Sequence, residues 1–381
     1  MKIAINAASA RMGGAATYLQ NVLPPLRSHL ETDSATNSIT VWKPQSVVMN
    51  GEELEGINYR ILGAEKEGML RRLYFDQVEL PQALKKERSD ILFSSANFGT
   101  LFSPCRQVLL VRNTIPFDHT YQKRVSQKVR LFCQLQRRLI LQSMKAADVV
   151  LFPSQAMLDM VNASYRGRTD RWFVATYGTR HDLFSPRESQ ALQSPINILN
   201  VGTYSDQKNL GVLMQAMREL TTQSKDAYTL RMTAGFQHDW IGENPSFPNF
   251  QRDQALYREL AAAGIAEDTN WRNYGSLPDL YRSADIFVFP SYTESFGHPL
   301  LEAMASGLPI VAADIPVNRE LCGEAAVYFS PFKVDECVSL IKQVANDNAL
   351  RIKLAAVGVE RVKRFTWQSH VGQLVKAFSA N

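Results

Sequence analysis

Short β-branched runs alternate along this chain with stretches whose apolar residues recur every three to four positions. The first half predicts strands at KIAINA (2–7), ITVWK (39–43), ILFSSA (91–96), QVLLVRN (107–113), DVVLFPS (148–154) and FVATYG (173–178). A proline- and serine-punctuated stretch, HDLFSPRESQALQSP (181–195), then interrupts the pattern and reads as a linker. The alternation restarts with INILNVGT (196–203), LRMTAG (230–235), IFVFPS (286–291), PIVAAD (309–314) and AVYFS (326–330), and FTWQSHVGQLVKAFSA closes it as a terminal helix. Strands alternating with amphipathic helices predict parallel sheets covered on both faces. The expectation is therefore an α/β protein with two doubly wound domains, facing a cleft at the carboxyl ends of their sheets.

Within that frame, IFVFPS delivers the chain into SYTESFGHPLLEAMASG, where Glu294 and Glu302 bracket Gly297, His298 and Pro299. Pro299 suits the first helical position and Gly307 the end. A helix start offers free N–H groups and a partial positive charge, which suit an anion such as phosphate. An acidic first turn that only complements the helix dipole is the plainer alternative. A loop at the carboxyl end of a doubly wound sheet favours the ligand reading. Two further strand–helix turns carry similar hints. NAASARMGGAATYLQN brings Gly13 and Gly14 to a helix start, where a tight turn alone would also want glycine. LNVGTYSDQKNL puts Gly202 at a strand end and Lys208 near a helix start, within reach of a phosphate, although most lysines are simply solvated. His298 could serve as a base, but its backbone N–H is the favoured role.

Composition narrows the field. The 381 residues suit two domains, with 45% hydrophobic and 21% charged residues. No apolar run is long enough to span a bilayer, and MKIAINA reads as a strand, not a leader. Cys105, Cys133, Cys322 and Cys337 lack C-x-x-C spacing and read as small buried or half-buried residues in a reducing compartment, with no structural disulfide or zinc site expected. The net charge of +5 is mild, and no nucleic-acid signature accompanies it. P-loop, G-x-G-x-x-G, G-x-S-x-G and H-E-x-x-H patterns are absent.

The charge is concentrated in QKRVSQKVRLFCQLQRRLILQSMK (122–145), with seven basic residues and no acidic one. On a helical wheel Val125, Val129, Phe132, Leu135, Leu139 and Ile140 share a side expected to face the core. Lys123, Arg124, Lys128, Arg130, Arg137, Arg138 and Lys145 fall on the other. That basic side is either solvated or drawn to anionic lipid or a phosphate-bearing acceptor, at about 1 kcal/mol per well-placed charge.

Taken together, FVFPSYTESFGHPLLEAMASGLPIVAADIPVNRELCGEAAVYFSP resembles the donor-binding segment of retaining glycosyltransferase family 4, which has the GT-B fold. The seven-residue spacing between the two glutamates carries the resemblance, and GGAATYLQN, NVGTYSDQKNL, AADVVLFPS and TYGTRHDLFSP extend it in order over nearly the whole chain. It implies an acceptor-binding Rossmann-like domain over 1–185, a nucleotide-sugar-binding one over 186–360, and a helix over 361–381 packing back on the first. By position, Glu294 would hold donor-sugar hydroxyls, and the backbone at Phe296, Gly297 and His298 would contact sugar and diphosphate. Lys208, beside Gly202 and Thr203, would meet the diphosphate, Glu302 the ribose, and Gly14 the distal phosphate.

Two departures stand out. Thr203 occupies a position where many members carry arginine, which leaves charge neutralisation to Lys208. Arg112 and Asn113 replace a histidine–aspartate pair, so Arg112 either supplies the missing charge or is a structural arginine. The implied activity is retaining, metal-independent transfer of a hexose-type sugar from a nucleotide diphosphate to a hydroxyl of a lipid-linked or saccharide acceptor. Bacterial surface polysaccharide or glycolipid assembly is the expected setting, with Glu294, Lys208 and Arg112 as catalytic residues and no cofactor or metal. A nucleotide-sugar epimerase of the same fold, or a non-catalytic nucleotide-sugar-binding protein, is the alternative. The expected location is cytoplasmic, with peripheral attachment to the inner face of the membrane left open and no nucleic-acid partner.

Overall fold

The computed structural model describes the chain except residues 9–13, 34–36, 46–53, 63–68, 187–191, 224–226, 239–240, 242–243, 245, 270–273 and 380–381. It divides into two units. The first comprises Met1–Phe117, Gln134–Gly178 and Trp367–Asn381, the second Asp118–Cys133 and Thr179–Thr366.

The first unit is built on β1 (Lys2–Asn6), β2 (Ser38–Pro44), β3 (Ile57–Leu62), β4 (Ile91–Ser94), β5 (Arg106–Leu110), β6 (Val149–Phe152) and β7 (Trp172–Val174). All pairs are parallel, in the order β3-β2-β1-β4-β5-β6-β7. The strand order therefore reverses between β1 and β4. The central strands β4 and β6 are buried throughout, as a sheet covered on both faces requires. The sequence pattern missed β3, whose burial alternates irregularly because it is an edge strand. Helices α1 (Gly14–Asp33) and α2 (Met69–Tyr74) follow β1 and β3, and α2 runs through a π-helical turn (Phe75–Glu79) into α3 (Leu80–Glu87). The Tyr18 ring packs on Tyr177, Trp367 and His370, so the terminal segment supplies part of this unit's aromatic core.

The second unit repeats the plan with β8 (Ile196–Asn200), β9 (Tyr228–Met232), β10 (Ala266–Asp268), β11 (Ile286–Phe289), β12 (Ile310–Ala313) and β13 (Ala326–Phe329). These are parallel in the order β10-β9-β8-β11-β12-β13, with the reversal between β8 and β11. The three-residue edge strand β10 was also missed, being too short to show a period.

The basic stretch departs from its expected form. It breaks at Val125, whose backbone is extended, into α4 (His119–Arg124) and α5 (Gln127–Ala146). Its apolar side is only partly buried. Val129, Cys133, Ile140 and Met144 are in the core, but Leu131, Phe132 and Leu135 are 58%, 47% and 44% exposed. A core-facing Phe132 and Leu135 is thus corrected: the helix turns its Val129–Cys133–Ile140 stripe inward, and both residues lie on the flank. The 1–185 span is also interrupted. Asp118–Cys133 groups with the second unit, where Tyr121 Oη donates to the Ser246 carbonyl at 3.2 Å. The Arg124 guanidinium lies 3.6 Å from the centre of the Phe332 ring. The expected linker at 181–195 lies partly outside the described residues. All four cysteines are free thiols, Cys105 half-buried and the others buried.

Candidate functional site

At the reversal point of the second sheet, Asn200 Nδ2 donates to the Val288 carbonyl at 2.9 Å and ties the end of β8 to β11. Beyond β8, Gly202 N donates to Thr233 Oγ1 at 2.9 Å, and half-buried Thr203 follows. The chain then makes a 3₁₀ turn at Asp206–Lys208 and closes it with Asn209 in the left-handed region. Asn209 suits that conformation, and its Nδ2 donates to the carbonyls of Pro290 (3.1 Å) and Pro331 (2.5 Å). Tyr292 N donates to the Gln207 carbonyl at 3.0 Å. The loop after β8 is stitched by these bonds to the loops after β11 and β13.

The stitching brings two predicted residues together. Lys208 Nζ and Glu294 Oε1 are 2.5 Å apart, with side chains 21% and 14% exposed. A Cβ built on Gly202 would lie 3.9 Å from the same Nζ, so the glycine backbone sits against the lysine. The helix α10 (His298–Ala305) starts just beyond. Its cap is Gly297 at φ 107°, where a side chain would be strained and its Cβ would press on Leu300 Cδ1 at 3.3 Å. Pro299 stands in the first turn, and the helix closes at Gly307 with φ 69°. Phe296 is 1% exposed and its ring packs on those of His298 and Phe365. The set therefore brings a lysine and a carboxylate together a few residues before a helix start, a combination suited to an anion joined to a polyol.

Glu302, one turn into α10, stands apart from that pair. It is 4% exposed, and its carboxylate accepts hydrogen bonds from Tyr281 Oη at 2.7 Å and from the Tyr274 hydroxyl. Burial pushes its carboxyl above the usual range, against the lowering effect of the two tyrosines. The same burial, with the neighbouring carboxylate, pushes both tyrosine hydroxyls up. Sequence reasoning missed these tyrosines, since aromatic positions in an amphipathic stretch read as core.

In the first unit, Arg112 is half-buried, with its guanidinium 5.6 Å from the Tyr18 ring centre and 6.0 Å from that of Tyr177. Its N–H and that of Asn113 both donate to Asn97 Oδ1, at 2.8 and 2.9 Å. Both roles left open for this arginine are compatible with that packing, since stacking on the rings leaves the guanidinium N–H groups available. Gly14 opens α1, while Gly13 lies outside the described residues. Among the described residues no group of three or more His, Cys, Asp or Glu side chains is placed to hold a metal ion, and no helix is long and apolar enough to cross a membrane.

Residues 184–361 match the family described as Glycosyl transferases group 1. O-antigen chain mannosyltransferase B of Escherichia coli is 31% identical over 186 residues, 47% of this chain and 45% of that protein. D-inositol 3-phosphate glycosyltransferase of Corynebacterium aurimucosum is 26% identical over 247 residues, 61% of this chain and 57% of that protein. The chain thus spans about half the length of the curated relatives it matches. Among solved structures, sucrose-phosphate synthase of Thermosynechococcus elongatus has a TM-score of 0.76 at 17% identity, covering 100% of this chain and 98% of that one. HepE of Anabaena, in complex with UDP and glucose, has a TM-score of 0.73 at 18% identity, with 100% of both chains covered.

Proposed function

We propose that the protein, whose residues 184–361 match the glycosyl transferases group 1 and whose chain has the GT-B fold, moves a hexose-type sugar from a nucleotide diphosphate to an acceptor hydroxyl. The observation that carries this reading is the Lys208–Glu294 pair beside the Gly297-capped start of α10. A nucleotide diphosphate sugar presents adjacent groups of opposite need: a diphosphate seeking cations and N–H donors, and a sugar seeking hydrogen-bond acceptors. Lys208 and the helix start meet the first, Glu294 the second.

The reaction has a definite balance. The acceptor oxygen attacks the anomeric carbon from the face the leaving group vacates, and the bond from that carbon to the phosphate oxygen breaks. The acceptor's proton passes to that phosphate oxygen, and configuration is retained. Negative charge grows on the leaving phosphate, where preorganised donors contribute most. No metal or cofactor is assigned a role, since Lys208 and the helix start supply the countercharge. Glu302 holds the ribose, with the Tyr274 hydroxyl yielding its place to a ribose hydroxyl. The acceptor is a lipid-linked or saccharide hydroxyl in surface polysaccharide or glycolipid assembly at the cytoplasmic side of the membrane. The exposed Leu131, Phe132 and Leu135 on α5, flanked by Lys128 and Arg138, support attachment to an anionic lipid surface.

The test is a panel of nucleotide diphosphate hexoses followed by thermal shift and by nucleotide release, with saccharide acceptors added. One donor is expected to stabilise the protein and release its nucleotide, in EDTA as without it, giving a product of retained anomeric configuration. Lys208→Ala should lower turnover by roughly 10²–10³. Binding without release would identify a sensor, and an altered sugar formed without acceptor would identify an epimerase. Activity abolished by EDTA and restored by magnesium would refute the metal-free step.

A further inference from the structure

The reversal point of the second sheet holds an asparagine at a strand end and an ion pair of a half-exposed cation with a carboxylate. The reversal point of the first sheet holds the same set. Asn6 ends β1, and its carbonyl accepts from Ser95 N and Oγ at 3.1 and 2.9 Å, tying β1 to the end of β4. Asn6 Nδ2 donates to Asp76 Oδ1 at 2.8 Å, and Arg72 Nε donates to Asp76 Oδ2 at 2.6 Å. Asp76 is 3% exposed, whereas the Arg72 side chain is 22% exposed.

An ion pair one turn apart on a helix is ordinarily a surface feature worth a few tenths of a kcal/mol. This one is different, because burying the aspartate costs more than such a pair returns. The backbone is also arranged around it. Asp76 lies in the π-helical turn, a widened turn found most often at functional sites. Thr100 Oγ1 donates to the Asp76 carbonyl at 2.9 Å, and Gln77 bonds Gly99 O and Leu101 N at 3.0 and 2.9 Å. The turn is thereby fastened to the loop that follows β4. The result is a guanidinium held through its Nε. Among the described residues nothing bonds its two Nη atoms, and these form the half of the fork that fits a planar or tetrahedral oxyanion. Crevices at reversal points are where doubly wound sheets bind ligands.

We propose that Arg72 is an anion-binding residue of the first unit that takes a phosphate or carboxylate group of the acceptor, with Asp76 and Asn6 as its positioning residues. The assignment to the acceptor rests on the transferase reading above; the anion site does not.

The test uses the full chain carrying Lys208→Ala, so that the lysine of the second unit does not contribute. Sodium phosphate and sodium glucuronate are titrated against sodium chloride of equal ionic strength, with melting temperature as the readout. A rise beyond chloride is expected with phosphate if the acceptor's anion is a phosphate, and with glucuronate if it is a carboxylate. Arg72→Gln alone would orphan the buried aspartate, so the decisive variant is Arg72→Gln with Asp76→Asn, which leaves no unpaired charge. In that variant the response should weaken at least about tenfold, the loss of one charge-assisted contact. A response that persists there, or no response to either anion before that change, overturns the proposal. With Lys208 intact, the double variant should bind UDP and GDP as the unaltered protein does. Loss of nucleotide binding would place Arg72 on the donor and overturn the acceptor assignment. An unaltered protein that binds no nucleotide sugar would end that assignment with the transferase reading, while an Arg72-dependent anion response would still establish the site.

Discussion

Glu302 is buried at a desolvation cost that its donors Tyr281 and Tyr274 offset only in part. Glu302→Gln keeps the shape and removes the charge, so stability at pH 7 should change by less than about 1 kcal/mol or improve. The sign follows from the carboxyl's raised position in the fold. The native state binds the proton more tightly than the unfolded chain, so the charged form lowers stability above the ordinary value of 4.5. The melting-temperature advantage of Glu302→Gln should therefore shrink as pH falls from 7 towards 5. Affinity for free UDP or GDP should drop about tenfold or more, at about 1.5–3 kcal/mol per charge-assisted bond to ribose. Glu294→Gln should leave free nucleotide binding unchanged and impair turnover. Equal losses in both variants would refute the division between the two glutamates. Their spacing and the lysine upstream were legible in the sequence because strand ends and helix starts leave local signals. The tyrosines, Asn200 and the Asn6–Asp76–Arg72 set were not, since each depends on which strands become neighbours.

At the level of single elements, α14 (Trp367–Ser379) sets His370 in the first unit's core, with no exposed surface. Its Nδ1 lies 3.2 Å from the Thr176 carbonyl, which can only accept, so Nδ1 carries the proton and Nε2 accepts from Tyr18 Oη at 2.8 Å. Burial pushes the imidazole down from 6.5 to about 4. The unfolded chain then takes up the proton first, and stability is lost as pH falls from 6.5 towards 4, by about 3 kcal/mol in all. His370→Gln, which can make both bonds without titrating, should show a smaller loss in urea melts between pH 7 and 5. An identical acid response in both proteins would remove His370 as its source.

Helix α5 carries a different expectation. Vesicles of anionic lipid should sediment the protein at low salt, and Leu131→Ser with Phe132→Ser and Leu135→Ser should release it without unfolding, because these side chains are exposed. Protein that ignores such vesicles at low salt would refute attachment through this helix. Central strands and long helices were legible from periodicity alone. The edge strands β3 and β10 and the break at Val125 were not, because exposure or brevity erases the period on which such reading depends.

For the whole molecule, the sequence pattern conveyed two doubly wound units but not how the chain is shared between them. The first unit takes its last piece from Trp367–Asn381, after the chain has completed the second. Trp367 and His370 pack on Tyr18, and Phe378 on Phe93, so residues at opposite ends of the sequence build one core. A ribosome adds about 5–20 residues per second, and domains generally fold as units as they emerge. Here the earlier-made unit must wait with Tyr18 and Phe93 uncovered until α14 leaves the exit tunnel, while the later-made one has nearly all its parts in hand first. A chain stopped at Thr366 should accordingly keep a cooperatively melting, nucleotide-responsive second unit and expose a first unit open to protease. Adding the peptide of residues 367–381 should restore resistance in proportion to its binding to the first unit. Equal protease resistance with and without those residues would mean the first unit matures alone, and that birth order places no burden on this fold.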